Sequence, residues 1–438
     1  MSQENDKNPL SDILTEGLDK EMDVHGVSFK KDLALSDTIL SVRHLKMFFS
    51  MGHGQKLKAV HDVSFDIHKG ECFGLVGESG CGKTTTGRSI IRLYQITSGS
   101  VYFKGYRVNA GSRWNEKEIK WVRIKGKNRI KELKRECKDS IREIDDTTEE
   151  GLQEIENVKD DYQKQIDGIN DHIKSTIKEQ KYKIKKIKYD NEHVDPNLMT
   201  KMQMIFQDPI DSLDPRMTVE EIIAEGLKIK GSHNKAENHK KVCEALEEVG
   251  LISDYCSRYP NEFSGGQRQR IGIARALVMD PEFLICDEPI SALDVSIRAQ
   301  IINLLNKLKE ERGLTIMFIA HDLSVVKYFC DTIAVMYFGE MVEKASSDEL
   351  FAHPLHPYTR ALLSAIPKPD PISEKQRVRI RYNPKTEHDY SQEKPTFQEI
   401  VPGHFVLANT AEMEKYRNMM KTMDEENAAK EEELKKYE

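Results

Sequence analysis

The chain has 438 residues, of which 38% are hydrophobic, 32% charged and only 7% aromatic, with a net charge of −7. Charged residues exceed the roughly one quarter of an average globular domain, which points to a core accompanied by polar, helical material. The slightly acidic balance argues against a nucleic-acid binder, which carries a basic face. No run approaches the ~18 apolar residues of a membrane span. The longest candidate, Leu314 to Ala320, reads as a buried strand. Met1 to Pro9 is polar and lacks the apolar centre of a secretion signal. Seven cysteines are scattered without a Cys-x-x-Cys pair, the usage of cytosolic thiols rather than of a disulfide or zinc framework. A secreted, transmembrane or metal-stapled protein is therefore not expected. A cytosolic globular protein, free or peripherally attached to a membrane, is.

In chain order, residues 1–38 are polar, with a weak amphipathic stretch from Leu10 to Met22, and read as a mobile tail. Ile39 to Phe49 alternates apolar and polar residues, and Ala59 to Ile67 follows in the same manner. Both suit strands of an antiparallel edge subdomain. Cys72 to Val76 is a short apolar run without alternation, the pattern of a strand buried on both faces.

Residues 112–200 are rich in lysine and glutamate and poor in glycine. Apolar residues recur at Ile130, Leu133, Cys137, Ile141 and Ile144, then at Leu152, Ile155, Val158, Tyr162, Ile166, Ile169, Ile173 and Ile177, and again at Ile184 and Ile187. Alternating steps of three and four predict a coiled-coil seam. Asp145-Asp146-Thr147-Thr148 interrupts it and predicts a turn, so the segment folds as an antiparallel two-helix arm. From Met202 the globular pattern resumes. Strand-like Met202–Phe206, Phe283–Cys286, Thr315–Ala320 and Ile333–Phe338 are separated by helical Lys240–Val249, Gln267–Val278 and Val295–Arg312. Such alternation predicts a mostly parallel sheet covered on both faces. After Ser346 the chain is proline-rich, then irregular, and ends in a charged helical segment, Ala411 to Lys436.

Gly77-Glu78-Ser79-Gly80-Cys81-Gly82-Lys83-Thr84 fits G-x-x-x-x-G-K-[ST], with a buried strand before it and a helix after it. Glycines let the backbone fold around phosphate oxygens, and the helix N-terminus adds its dipole. Lys83 then reaches the β- and γ-phosphates, and Thr84 offers its hydroxyl to magnesium. Cys81, inside the loop, is expected to be drawn toward the thiolate. Phe283-Leu284-Ile285-Cys286-Asp287-Glu288 is an apolar strand ending in two acids. Asp287 is placed to hold the metal, and Glu288 to polarise the attacking water.

Phe263-Ser264-Gly265-Gly266-Gln267 resembles the signature segment of the ABC (ATP-binding cassette) ATPases, with phenylalanine in place of the usual leucine. The remaining family elements follow in order. Gln207 matches the Q-loop glutamine, Ser291-Ala292-Leu293-Asp294 the D-loop, and His321 the switch histidine. Phe49 stands where the family places an aromatic ring on adenine, with Phe48 the competing position. The resemblance implies an α/β fold: a RecA-like parallel sheet core, an antiparallel β subdomain and a helical signature subdomain. It implies ATP and Mg2+ as ligands, with Glu288, His321 and Gln207 catalytic and Thr84, Gln207 and Asp287 at the metal. Nucleotide would lie on Phe49, on Gly77 through Thr85, and on Ser264, Gly265, Gly266, Gln267 and Asp294, the last five serving a neighbouring subunit's ATP.

Arg258-Tyr259-Pro260-Asn261-Glu262, the segment Cys286 to Ser296 and the tail His353 to Leu363 resemble the oligopeptide/dipeptide importers. That subfamily implies a sister ATPase, two permease subunits, an extracytoplasmic peptide-binding protein, and a place on the cytoplasmic face of a bacterial membrane. The Q-loop stretch Gln207 to Arg216 would meet the permeases. The expected division is a tail (1–38), a cassette in two parts (39–111 and 201–345), an inserted arm (112–200) and a C-terminal extension (346–438). The extension lacks the cysteine cluster that some relatives use for an iron–sulfur centre, so none is expected. The competing reading is a non-transport ABC ATPase of chromosomes or translation. The arm is short for the former, has no zinc hook and precedes the Q-loop; the latter carry two cassettes per chain.

Overall fold

The computed structural model describes residues 37–366 and 379–434, apart from positions 54, 209, 210 and 292. The expected tail, Leu10–Met22 included, lies outside the described residues in all but its last two positions. So do residues 209 and 210 of the Q-loop stretch, Ala292 of the D-loop and the last two positions of the expected terminal helix.

The first strands are β1 (Thr38–Ser50), β2 (Lys56–His68) and β3 (Cys72–Val76). Helix α1 (Lys83–Ile90) and strands β4 (Ser98–Phe103) and β5 (Tyr106–Ser112) follow. Two long helices come next, α2 (Arg113–Arg142) and α3 (Glu149–Glu192), then a short α4 (Pro196–Thr200). Strand β6 (Met202–Ile205) leads to α5 (Val219–Ile229), α6 (Lys235–Glu248) and α7 (Gly265–Leu277). β7 (Phe283–Asp287), α8 (Val295–Arg312), β8 (Thr315–Ala320), α9 (Leu323–Phe329), β9 (Thr332–Tyr337) and β10 (Glu340–Ser346) complete the central region. The last elements are α10 (Ser347–Ala352), α11 (Pro357–Ser364), α12 (Pro384–Glu387), β11 (Thr396–Val401), β12 (His404–Ala408) and α13 (Thr410–Leu434).

Two sheets form. One is antiparallel in the order β2-β1-β4-β5, and the other runs β11-β12-β10-β9-β3-β8-β7-β6. From β9 to β6 all neighbours are parallel. Strands β10, β12 and β11 extend that sheet with antiparallel pairs. The region after Ser346 is therefore not merely irregular as its sequence suggests: two of its segments are strands docked on the main sheet.

The parallel strands are apolar throughout because each face has its own core. Cys72 and Val76 of β3, Leu284 and Cys286 of β7 and Ile316 and Phe318 of β8 pack with α5 to α8. The alternate residues Phe73, Leu75, Phe283, Ile285, Met317 and Ile319 pack with the antiparallel sheet. Period-two geometry thus divides a continuous hydrophobic run between two cores. Burying each such side chain contributes about 1.5–3 kcal/mol.

Helices α2 and α3 run antiparallel. Asn115 donates to Gln180 at 2.8 Å near the base, Gly126 faces Ile173 midway, and Ser140 lies 3.4 Å from Tyr162 near the tip. Asp145 Oδ1 accepts from the Thr147 N–H at 3.0 Å and its hydroxyl at 2.7 Å in the turn between them. Leu133, Ile155, Ile166 and Ile187 are buried, but Leu152 is 55% exposed. Its counterpart across the hairpin falls in the turn rather than on α2, so the apolar seam ends one turn before the expected place. At the base, Asn191 accepts from Ala110 N–H at 3.1 Å and donates to Ala110 O at 2.8 Å, closing part of the free edge of β5. Arg107 pairs with Asp190 at 3.1 Å beside it. An open polar cleft of about 770 Å³, lined by Arg92, Asn109, Arg113 and Lys188, lies between this base and β5.

Candidate active site

Strand β3 ends in the centre of the parallel sheet, where the chain turns through Gly77–Gly82 into α1. Gly77 and Gly82 hold φ of 151° and 107°. A Cβ on either would come within 2.2 Å of a main-chain oxygen, of Met336 and Ala59 respectively, so only glycine lets the loop lie this close to β9 and β2. Lys83 is buried, and its ammonium donates to Gly77 O at 2.7 Å and Glu78 O at 2.9 Å. Glu78, Ser79 and Gly80 are exposed at the rim, while Thr84 and Thr85 are half-buried in the first turn of α1. A glycine turn, a buried cation and a helix N-terminus together form an anion cradle.

Cys81 departs from expectation. Its thiol is buried beneath the loop, and that burial raises its pKa despite the nearby Lys83 ammonium. It is a protonated packing group and not a thiolate.

β7 delivers the two acids. Asp287 is fully buried; its Oδ1 accepts from Thr84 Oγ1 at 2.8 Å. Its Oδ2 is buried with no hydrogen-bond partner among the described residues. Burial raises the carboxyl pKa, and the Thr84 bond only partly offsets it. A buried carboxylate oxygen without a partner is costly. A hard divalent cation with oxygen ligands would satisfy it, so Thr84 and Asp287 fit Mg2+.

Glu288 sits in the left-handed region at φ 44°, a conformation that costs a non-glycine residue of order 1–3 kcal/mol. Its N–H donates to Ile319 O at 3.0 Å, and its own O accepts from Ser291 Oγ at 3.0 Å. Three groups converge on its carboxylate. Gln207 Nε2 donates to Oε2 at 3.1 Å, His321 Nδ1 lies 3.1 Å from the same oxygen, and Lys83 Nζ lies 4.0 Å from Oε1. Gln207, Glu288 and His321 each follow the carboxyl end of a parallel strand, β6, β7 and β8, where open α/β sheets form their crevices. A cavity of about 20 Å³ lined by Glu288, Ser291, Arg298 and His321 has room for one water-sized group.

The other expected residues form a second group. Ser264 caps α7: its hydroxyl accepts from Gln267 N–H at 3.4 Å while Gln267 Oε1 accepts from Ser264 N–H at 3.0 Å. Gly265 faces Leu293, and a Cβ on Gly266 would stand 2.7 Å from Ile297. Asp294, exposed, begins α8 beside them. Phe263, the departure from leucine, is buried edge-on against Tyr255 at 5.2 Å between ring centres. Phe49 packs edge-on against Tyr94 at 5.4 Å, and Phe48 stacks on His61 at 6.1 Å.

One residue escaped sequence reasoning. Tyr358 of α11 is buried, and its Oη accepts from the Glu78 N–H of the glycine loop at 2.9 Å. It lies in the proline-rich tail segment, whose composition offers no hint of a contact 280 residues back.

Residues 60–170 and 168–291 match the family described as ABC transporter, and residues 342–398 the one described as oligopeptide/dipeptide transporter, C-terminal region. The chain belongs to the ABC transporter family. Among similar members, the oligopeptide transport ATP-binding protein OppF of Bacillus subtilis (strain 168) is 46% identical over 383 residues, covering 87% of this chain and 100% of the relative. OppF of Streptococcus mutans serotype c is 43% identical over 380 residues, covering 86% of this chain and 97% of the relative. The dipeptide transport ATP-binding protein DppF of Lactococcus lactis subsp. cremoris is 41% identical, covering 86% of this chain and 96% of the relative. Within this family member, no helix among the described residues is long and apolar enough to cross a membrane.

Proposed function

We propose that the chain is the ATP-hydrolysing subunit that energises import of peptides across the cytoplasmic membrane. The observation that carries the reading is the convergence on Glu288 of Gln207, His321 and Lys83, beside the Thr84–Asp287 pair. The match of residues 342–398 to the transporter's C-terminal region, and the names of the relatives, direct it to peptides rather than to chromosomes or translation.

The glycine loop from Gly77 to Thr85 holds the nucleotide's phosphates, and Lys83 neutralises them. Phe49 receives the adenine. Thr84, Asp287 and Gln207 would hold Mg2+, which offsets phosphate charge when bound. Glu288 accepts a hydrogen bond from the attacking water and polarises it, and His321 and Gln207 hold its carboxylate in place. Ser264, Gly265, Gly266, Gln267 and Asp294 lie on two neighbouring helix N-termini apart from this cradle, the arrangement needed to close over a sister ATPase's nucleotide. The chain acts with that sister and with two permeases that dock near Gln207–Arg216, served by an extracytoplasmic peptide-binding protein, at the cytoplasmic face of a bacterial membrane. The cassette, 39–111 and 201–345, is interrupted by the arm at 112–200, a reading supported by the long helices α2 and α3 that stand between β5 and β6.

Purification of the full chain from membranes tests this. Co-purification with two integral membrane proteins and a second ATPase, and ATP-driven peptide uptake by the reconstituted assembly, are expected. An ATPase activity raised by DNA ends or ribosomes, and indifferent to those membrane partners, would overturn it.

A further inference from the structure

A cluster of soft donors lies away from the nucleotide site, in the helical region that precedes the signature turn. His239 and Cys243 are four residues apart on α6 and share one face. Cys256 comes from the 3-10 turn Ser253–Ser257 packed against that face. Cys243 Sγ stands 3.6 Å from His239 Nε2 and 3.7 Å from Cys256 Sγ. All three donor atoms lie within 4.8 Å of one another.

The two separations made by Cys243 are those of a zinc site. Tetrahedral bonds of about 2.3 Å to sulfur and 2.0–2.1 Å to nitrogen place two sulfurs about 3.8 Å apart, and sulfur and nitrogen about 3.6 Å apart. A further group completes the pattern: Glu220 of α5 lies 3.1 Å from His239 Nδ1. A carboxylate there fixes the tautomer that leaves Nε2 free to ligate, the outer-shell arrangement typical of metal-bound histidine. His239 is half-exposed at 54%, so an ion has a way in, and three protein donors leave one tetrahedral position for water.

We infer that His239, Cys243 and Cys256, oriented by Glu220, bind Zn2+ in a Cys2His site with one open position. Binding transfers each thiol's proton to solvent and leaves two thiolates on the ion. The ion joins α6 to the turn that leads through Arg258 to the signature segment, and α5 is tied in through Glu220 and through Val219 N–H, which donates to Arg258 O at 2.9 Å. The other close thiol pair, Cys72 and Cys330 at 3.5 Å, is sealed in the main core and is no competitor for a solvent ion. Sequence spacing concealed the site, because its ligands are a helical i, i+4 pair and a distant turn cysteine rather than a Cys-x-x-Cys.

The test uses the full-length chain, kept reduced and stripped with a chelator. Added Co2+ should give thiolate-to-cobalt charge-transfer absorption and the intense visible bands of tetrahedral coordination. One equivalent of Zn2+ should abolish both. His239→Ala, at an exposed side chain, and Cys243→Ser should remove the bands, whereas Cys137→Ser on the arm should leave them unchanged. Glu220→Gln should keep the bands and weaken zinc binding by about 10–100-fold. Zinc should raise the melting temperature of the wild type and not of His239→Ala. Absence of thiolate–cobalt bands in the reduced wild type, or bands that survive both ligand variants, would overturn the site.

Discussion

Glu288 is held by more partners than a surface acid needs, and it holds a left-handed backbone to reach them. If it polarises the attacking water, Glu288→Gln should preserve ATP binding and lower turnover by about 10²–10⁴-fold. Single-turnover hydrolysis with the sister site silenced is the measurement; near-normal hydrolysis would remove the role. The aromatic platform separates just as cleanly. Phe49→Ala should weaken nucleotide binding by about 1–2 kcal/mol of stacking and contact, while Phe48→Ala, whose ring lies on His61, should not. Fluorescent-nucleotide titration of the two variants decides, and the reverse ranking would move adenine to Phe48. These acids, the loop and His321 were legible before the fold because each stands in a short contiguous motif. Tyr358 was not, because its contact with Glu78 exists only after the tail folds back over the loop.

At the level of elements, the three-and-four spacing made α2 and α3 legible, since a helix pair in solvent must mark its seam with apolar residues. The strands β11 and β12 were opaque for the opposite reason. β11 is the edge strand and buries no side chain fully, while β12 pairs with β10 some sixty residues earlier and buries only alternate residues. The arm's base also decides where it can be cut. Removing everything from 116 to 197 would strip Asp190 and Asn191 from Arg107, Ala110 and Arg92. A shorter cut, joining position 126 to position 173 by a glycine–serine linker, spares those bonds, because Gly126 and Ile173 already touch. The trimmed chain should fold and bind ATP normally but transport less peptide per ATP hydrolysed, with coupling altered by about 1–3 kcal/mol. Uptake and hydrolysis measured together check this; an unchanged ratio would make the arm a passive spacer.

For the whole molecule, the C-terminal strands are fastened by one buried polar knot. His404 of β12 bonds Glu343 of β10 at 2.9 Å and Glu349 of α10 at 3.0 Å. Glu343 also accepts the N–H groups of Leu355 and His356, at 2.7 and 3.1 Å. Burial alone would lower the imidazole pKa, but the two carboxylates outweigh it and hold it above the ordinary value. Its stabilisation is therefore complete below the unfolded histidine pKa and is lost as pH rises through the folded one. Protection of β12 against hydrogen exchange should fall toward alkaline pH, and His404→Ala, at a cost of about 3–5 kcal/mol, should remove that dependence. A pH-flat wild type would contradict the knot. The arm has a different consequence at this scale, one of leverage. Its longer helix has 44 residues, about 66 Å at 1.5 Å per residue, and is pinned to β5 at one end. A rod of that length turns angle into distance: each degree of rotation at the pinned end sweeps the free end through about 1 Å. Paired labels, one near Asp146 and one on the central sheet, would then read nucleotide-driven rotations of the antiparallel sheet too small to see at the phosphate loop itself.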